Sequence, residues 1–550
     1  MLFASENGAP DVFQLPPLVI NEEKETRWQY SEVRGFEILS ECSERETQAV
    51  IDALARGRVL TLPSGLRAKV SLPMVVVLFD RRPASSESVK AMGSKRGPGE
   101  LNTHWTNLVK RVGPDGEVFC ANLWGRSFRY SSTFRVDLRT SFQLLVPPAP
   151  IWLHAGFFGP YGIYDEHIEF DPGQQNLVEL TEANWCSPLE LQEARNLWMK
   201  MLVLEKMPEA KRVAADRLNF SAPSPLGPYL FPMRELWAEA GAPADAADYE
   251  RWASTCSLFV RWALFADSGR RAHAFWAFVD EARIRAVSEE SFRKHFGMDF
   301  AATDLVLSWY FPRATSVRPG MRVDAPELPK ITLRRASSGQ IARMLGAWER
   351  SEISAAEAAD RKPDAEMLTK KAGDMLEHAY EKDSSDAGLQ MQLALFEYEH
   401  GTRQRSLELL EALHAKGTMR PLAHLRLGSL RFENERIKAT VVGGRLTRSQ
   451  IEYIQEALRA AYSAYPAMLE TYALLADVWA AYGGSPSKED LAVLWEGVRL
   501  FPKEPMYLLK VARLYARSGF EAETAALCRH AEALVLDQAT ADQFHRLQKP

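Results

Sequence analysis

The spacing of apolar positions changes along this chain, and each change predicts a different element. Val33-Arg34-Gly35-Phe36-Glu37-Ile38-Leu39 alternates in the manner of a strand. Ser43-Glu44-Arg45-Glu46 carries Ser and Glu at capping-box spacing and opens a helix predicted to about Leu60. The stretch Val70 to Phe79 holds Met74-Val75-Val76-Val77-Leu78-Phe79, a run suited to a buried strand. Helical spacing takes over near 188–206, 246–268 and 271–287. Trp252, Phe259, Trp262 and Phe265 recur at helical intervals and read as core rather than as a ligand cage.

The last third repeats itself. Met391, Leu393 and Phe396 recur 34 residues later as Leu425, Leu427 and Leu430. Tyr472, Leu474 and Trp479 recur 35 residues later as Tyr507, Leu509 and Leu514. Tyr465-Pro466 and Phe501-Pro502 close successive helices 36 residues apart. The pattern predicts paired helices at 388–400 with 404–416, 421–434 with 448–464, 468–482 with 487–501, and 505–517 with 521–535. A looser pair is expected at 338–350 and 364–381, and a loop or short hairpin at Ile437 to Arg448. This period resembles tetratricopeptide (TPR) repeats, which implies a superhelix that docks a protein or peptide in its concave groove.

The expected organisation follows. Residues 1–30 read as a polar, proline-containing tail, and 31–312 as an α+β domain, mostly helical in its second half. Residues 313–337, with Pro319, Pro326 and Pro329, read as a linker or a strap across the domain face. An all-α repeat array is expected over 338–535 and a tail over 536–550. A chain of 550 residues needs more than one core. With 46% hydrophobic and 25% charged residues it reads as globular and soluble. The net charge of −5 supplies no basic field for nucleic acid. No apolar run is long enough for an integral membrane segment. The cysteines (Cys42, Cys120, Cys186, Cys256, Cys528) are scattered and odd in number, which argues against a disulfide framework and for buried small side chains.

Candidate chemistry centres on 135–156. Arg135-Val136-Asp137-Leu138-Arg139 is followed by Pro147-Pro148-Ala149-Pro150-Ile151-Trp152-Leu153-His154-Ala155-Gly156. This resembles the peptidase MA-like family of gluzincin-type zinc peptidases. There a His-Glu-x-x-His helix, a proline turn and a Trp-Leu-Asn-Glu-Gly helix build the metal site. Set on that pattern, the histidine ligands fall on Arg135 and Arg139, the catalytic Glu on Val136 and the third ligand on Ala155. Phe292 to Asp299, leading into Leu305 to Tyr310, is similar to the family's closing segment, so the resemblance covers about 30–312.

An arginine carries no lone pair for a metal, and valine is no base. The resemblance therefore implies a degenerate domain with no zinc, no catalytic residue and no other cofactor. Arg135 and Arg139, one helical turn apart, suit either neighbouring carboxylates or a bound anion, with His154 close by in sequence.

Other chemistry is weaker. Gly93 to Gly99 lacks the Gly-Lys-Ser/Thr ending of a phosphate loop and reads as a flexible loop. Asp165, Glu166 and His167 follow a turn and form no ligand spacing with His154. No histidine near Cys120 or Cys186 in sequence supports a cysteine nucleophile. Two functions remain. One is a non-catalytic interaction protein with a docking array. The other is a metallopeptidase with displaced ligands, or a hydrolase with an unrecognised site. The compartment is expected to be extracytoplasmic if a signal has been trimmed, and otherwise cytoplasmic.

Overall fold

The computed structural model describes residues 27–59, 72–80, 108–113, 116–123, 147–158, 177–178, 230–237, 242–314, 321–322, 327–442, 444–532, 534 and 537–548. These residues are mostly helical, with a small sheet near the N-terminus.

The sheet begins earlier than the alternation suggests. β1 (Gln29–Val33) and β2 (Phe36–Ser40) are antiparallel partners, so Val33 to Leu39 is a hairpin and not one strand. Gly35, at φ 82°, makes the turn that an L side chain resists. Trp28 is buried just before β1, so the chain is packed before residue 31, where the domain was expected to start. α1 (Glu44–Val59) starts at the expected reciprocal cap. Ser43 Oγ accepts from the Glu46 backbone at 3.3 Å, and Glu46 Oε2 accepts from the Ser43 backbone at 3.1 Å.

β3 (Met74–Phe79) runs parallel to β2, and the hairpin of β4 (Leu108–Gly113) and β5 (Gly116–Asn122) places β5 parallel to β3. Side chains alternate between faces along a strand. Met74, Val76 and Leu78 therefore pack on Val50, Ile51 and Leu54 of α1, while Val75 and Val77 face the opposite way.

A helical layer follows. It comprises α2 (Ile151–Phe158), the two-residue β6 (Leu177–Val178), α3 (Met233–Leu236), α4 (Ala246–Phe265), α5 (Ala272–Ile284), α6 (Glu289–Phe296) and α7 (Phe300–Ala314). α4 stops short of 268 in a 3-10 turn, with Asp267 at φ 53°. Its core is aromatic: Trp152, Trp237, Trp252, Phe259, Trp262, Phe275, Phe278 and Phe292 are all buried. The expected helix at 188–206 lies outside the described residues.

The expected linker is partly built into the fold. Met321–Arg322 (β7) pairs with β6, Arg334–Arg335 (β8) pairs with β1, and Ile331 is 2% exposed in the core beneath α1. The sheet order is β4-β5-β3-β2-β1-β8.

Antiparallel helix pairs fill the rest. They are α8 (Ser338–Ala358) with α9 (Lys362–Lys382), α10 (Ala387–His400) with α11 (Arg403–Lys416), and α12 (Pro421–Val442) with α13 (Arg448–Tyr462). Then come α14 (Leu469–Ala480) with α15 (Lys488–Leu500), α16 (Pro505–Arg517) with α17 (Glu521–Glu532), and α18 (Gln538–Gln548). α12 continues through Val442, where a loop from Ile437 was expected. The connection after it then clasps the next pair, because Leu446 N–H donates to Ala481 O and Gly483 N–H to Leu446 O, both at 2.9 Å. The expected tail after 535 contains α18. Asp537 caps it, accepting from Thr540 N–H at 2.9 Å, and Phe544 seals the end of the stack.

α8 belongs to two cores. Met344 and Trp348 cover the sheet face that α1 leaves open. Ala342 and Ile353 pack instead with Leu376, Leu389 and Leu393 of the next helices. At Gly346 an added Cβ would come within 2.8 Å of Leu376, so glycine permits the close approach of α9. Cutting the chain at 337 would strip one face from the sheet.

Candidate functional site

The proline turn positions the segment that carries the family resemblance. Arg283 on α5 donates from Nε and Nη2 to Pro147 O at 3.0 and 2.7 Å. Two charge-assisted bonds to one carbonyl fix the turn, because a proline segment has few donors to hold itself. Pro150 O then accepts from Leu153 and His154 N–H, which starts α2 at Ile151.

Each resembling residue on α2 has a defined place. Trp152 is buried edge-to-face against Trp237, with ring centroids 4.9 Å apart, and against Phe259 at 5.9 Å. Such contacts set the positive edge of one ring on the negative face of another. His154 is half-buried. Ala155 is 4% exposed, and its carbonyl accepts from Ser257 Oγ of α4 at 3.4 Å. A Cβ on Gly156 would lie 2.5 Å from Val260 Cγ2 and 3.1 Å from Cys256 O. The Ala155-Gly156 step is therefore what brings α2 onto α4.

Arg135, Val136 and Arg139, together with the expected helix to Leu145, lie outside the described residues. So do the Gly93 to Gly99 loop, Asp165 to His167 and Cys186. Among the described residues no group of three or more His, Cys, Asp or Glu side chains is arranged to hold a metal ion. Cys42, Cys120, Cys256 and Cys528 are buried free thiols. Burial pushes the Cys42 thiol up to about 12 and raises the other three as well, so these sulfurs stay protonated and unreactive. No helix among the described residues is long and apolar enough to cross a membrane.

The second candidate surface is the helix stack. The first helix of each pair packs on the first helix of the next, so these helices share one side of the array. Their charges are paired between neighbours. Arg350 forks onto Glu399 at 2.9 and 2.7 Å, Arg426 meets Glu470 at 3.1 Å, and Lys510 meets Asp477 at 2.8 Å. The second helices do the same: Arg405 binds Glu377, Arg448 binds Asp490, and Lys488 binds Glu523. Where both partners stay exposed, as in Arg405 with Glu377, such a pair contributes about 0–1 kcal/mol, whereas Arg350 with Glu399 is mostly buried.

The array also grips the N-terminal half. Glu37 on β2 is buried beneath the Tyr30 hydroxyl, which donates to it at 3.0 Å, and Arg420, whose Nη2 approaches at 3.3 Å. Arg343 of α8 forms an ion pair with the same carboxylate and donates to Tyr30 Oη at 3.1 Å. Far along the stack, Lys503 Nζ donates to Ala282 O at 2.7 Å, satisfying a carbonyl in the last turn of α5. The chain pattern gave no sign of these partners, which lie more than 200 positions apart in sequence.

Comparison with known proteins leaves the fold to speak for itself: no protein-family model, curated protein or solved structure matches this chain.

Proposed function

We propose that this chain is a non-catalytic interaction protein, a zinc-less peptidase-like domain joined to a TPR-type array that docks another protein or peptide. The observation that carries the reading is the stack of antiparallel pairs whose first helices share one side. The sequence period of 34 to 36 residues matches this stacking. Stacked pairs create a long surface whose shape comes from repetition and whose specificity comes from its side chains.

The peptidase-like part of the proposal draws support from the order of elements: a sheet-containing start, a proline turn, a Trp-Leu helix and a helical close. It draws further support from Ala155, which supplies no ligand and is enclosed by α4. Metal analysis of the purified chain, combined with capture of partners from the native organism by the array, tests the proposal. The expected result is substoichiometric zinc, no peptide cleavage, and a partner lost when first-helix charges such as Glu470 and Lys510 are reversed. One tightly bound zinc per chain with chelator-sensitive proteolysis would replace this reading with that of a metallopeptidase using displaced ligands.

A further inference from the structure

The joint between the second and third helix pairs contains two histidines. His414 lies in the last turn of α11 and His424 in the first turn of α12. Their rings stand edge-to-face at 85°, with centroids 5.7 Å apart. The Nδ1 atom of each is buried and has no hydrogen-bond partner. A neutral imidazole protonated at Nε2 keeps only a lone pair at Nδ1. A charged imidazole must place an N–H there, and here no acceptor awaits it.

The charged neighbours are already committed. Arg431 of α12 is 3% exposed; it binds Glu411 of α11 at 2.9 and 2.6 Å, Glu456 of α13 at 3.1 Å, and Tyr453 O at 2.8 Å. Its guanidinium lies 4.0 Å from the Tyr453 ring centroid, and the Tyr453 hydroxyl donates to Glu411 at 2.8 Å. Glu456 lies 3.7 Å from His414 Nε2, and Glu411, three residues before His414 on α11, also feels its charge, but Arg431 already engages both carboxylates. The remaining neighbours of α12 engage elsewhere: Tyr398 of α10 and Glu470 of α14 both meet Arg426. Burial, then the charges of His414 and Arg431, hold the His424 imidazole below its ordinary range. A base held down in this way supports the fold while neutral. That support is present above the ordinary histidine value and is lost as pH falls below it.

We propose that His414 and His424 form an acid-responsive seam in the array. Protonation brings cationic imidazole beside a buried guanidinium whose carboxylates are already shared. The joint between α11 and α12 opens, and the second and third pairs separate. α12 also begins directly after Arg420, which holds Glu37, so the same event loosens the grip of the array on the sheet.

Hydrogen exchange of the full chain at pH 7.5 and 5.5, corrected for intrinsic exchange, tests the seam. The wild type is compared with His414→Gln/His424→Gln. In the wild type, amides across 403–462 are expected to exchange on the order of tenfold faster at the lower pH, while those of 505–532 change little. In the double variant the acceleration should vanish. An unchanged wild-type seam, an equal response in the variant, or an equal loss across 505–532 would overturn the proposal. Should the variant fail to fold, imidazole NMR titration of the wild type decides. A His424 titration that coincides in pH with faster exchange across 403–462 upholds the seam, and one that does not coincide overturns it.

Discussion

Glu37→Gln is expected to release the array from the sheet. The Glu37 side chain is 5% exposed and shared by Arg343 and Arg420. Glutamine keeps the shape but offers one neutral acceptor and turns an N–H₂ toward two cations. Removing one partner of a buried ion pair typically costs about 3–5 kcal/mol, because the other charge stays behind. Two features lower that figure here. Arg343 remains 17% exposed, and Asp386 lies 3.8 Å from its Nε as a second, looser counter-charge.

We therefore expect a loss of about 2–4 kcal/mol in the local opening free energy, a large share of a typical domain's stability. Native-state hydrogen exchange of the β1 and β2 amides reads this opening directly. Adding Arg343→Met removes the stranded cation, and the double variant should regain about half of the loss. A drop under about 1 kcal/mol in Glu37→Gln, or simple additivity in the double variant, would refute the claim that this join is a desolvated charge cluster.

Two further outcomes are expected. Gly156→Ala should lower the melting temperature, because overpacking costs about 1–3 kcal/mol against a gain of up to about 1 kcal/mol in helix propensity. Val260→Ala should relieve part of the loss by removing the atom 2.5 Å from the new Cβ; an unchanged or raised melting point in Gly156→Ala would contradict the tight α2 and α4 contact. Asp304 accepts from Met233 N–H at 2.9 Å, and burial lifts its carboxyl to about 6 against the opposing pull of that N–H and of Arg234. An acid raised on folding binds its proton more readily in the folded state, so ionisation weakens the fold as pH climbs from about 4 to 6. Asp304→Asn should then raise the melting temperature above pH 6 and have little effect near pH 4, and equal effects at both would show that burial is not the cause.

Local chemistry made much of the chain legible. The Ser43 cap, the buried run of β3 and the helix pairs are written in short-range patterns of 2 and 3.6 residues, which need no distant partner to be read. The same logic exposes its failures. Val33 to Leu39 alternates whether it is one strand or two, and only the pairing of Gln29 with Ser40 places the turn at Gly35. Gln538 to Gln548 is too polar to announce a core helix, and it forms because the last pair offers a surface to Phe544.

Tertiary structure alone decided what joins to what. The two apolar faces of α8 look in sequence like one broad amphipathic helix, yet one closes the sheet and the other starts the stack. Arg334–Arg335 joins β1 by backbone pairing, which leaves no mark in side-chain pattern. The candidate site divides the same way. Trp152, Leu153 and Ala155 could be singled out as a motif, but that Ala155 and Gly156 meet α4 follows from a contact about 100 residues away. Glu37 with Arg420, and His414 with His424, are ordinary polar residues in sequence. Their meaning comes from burial and from a partner's charge, which a periodic pattern does not encode.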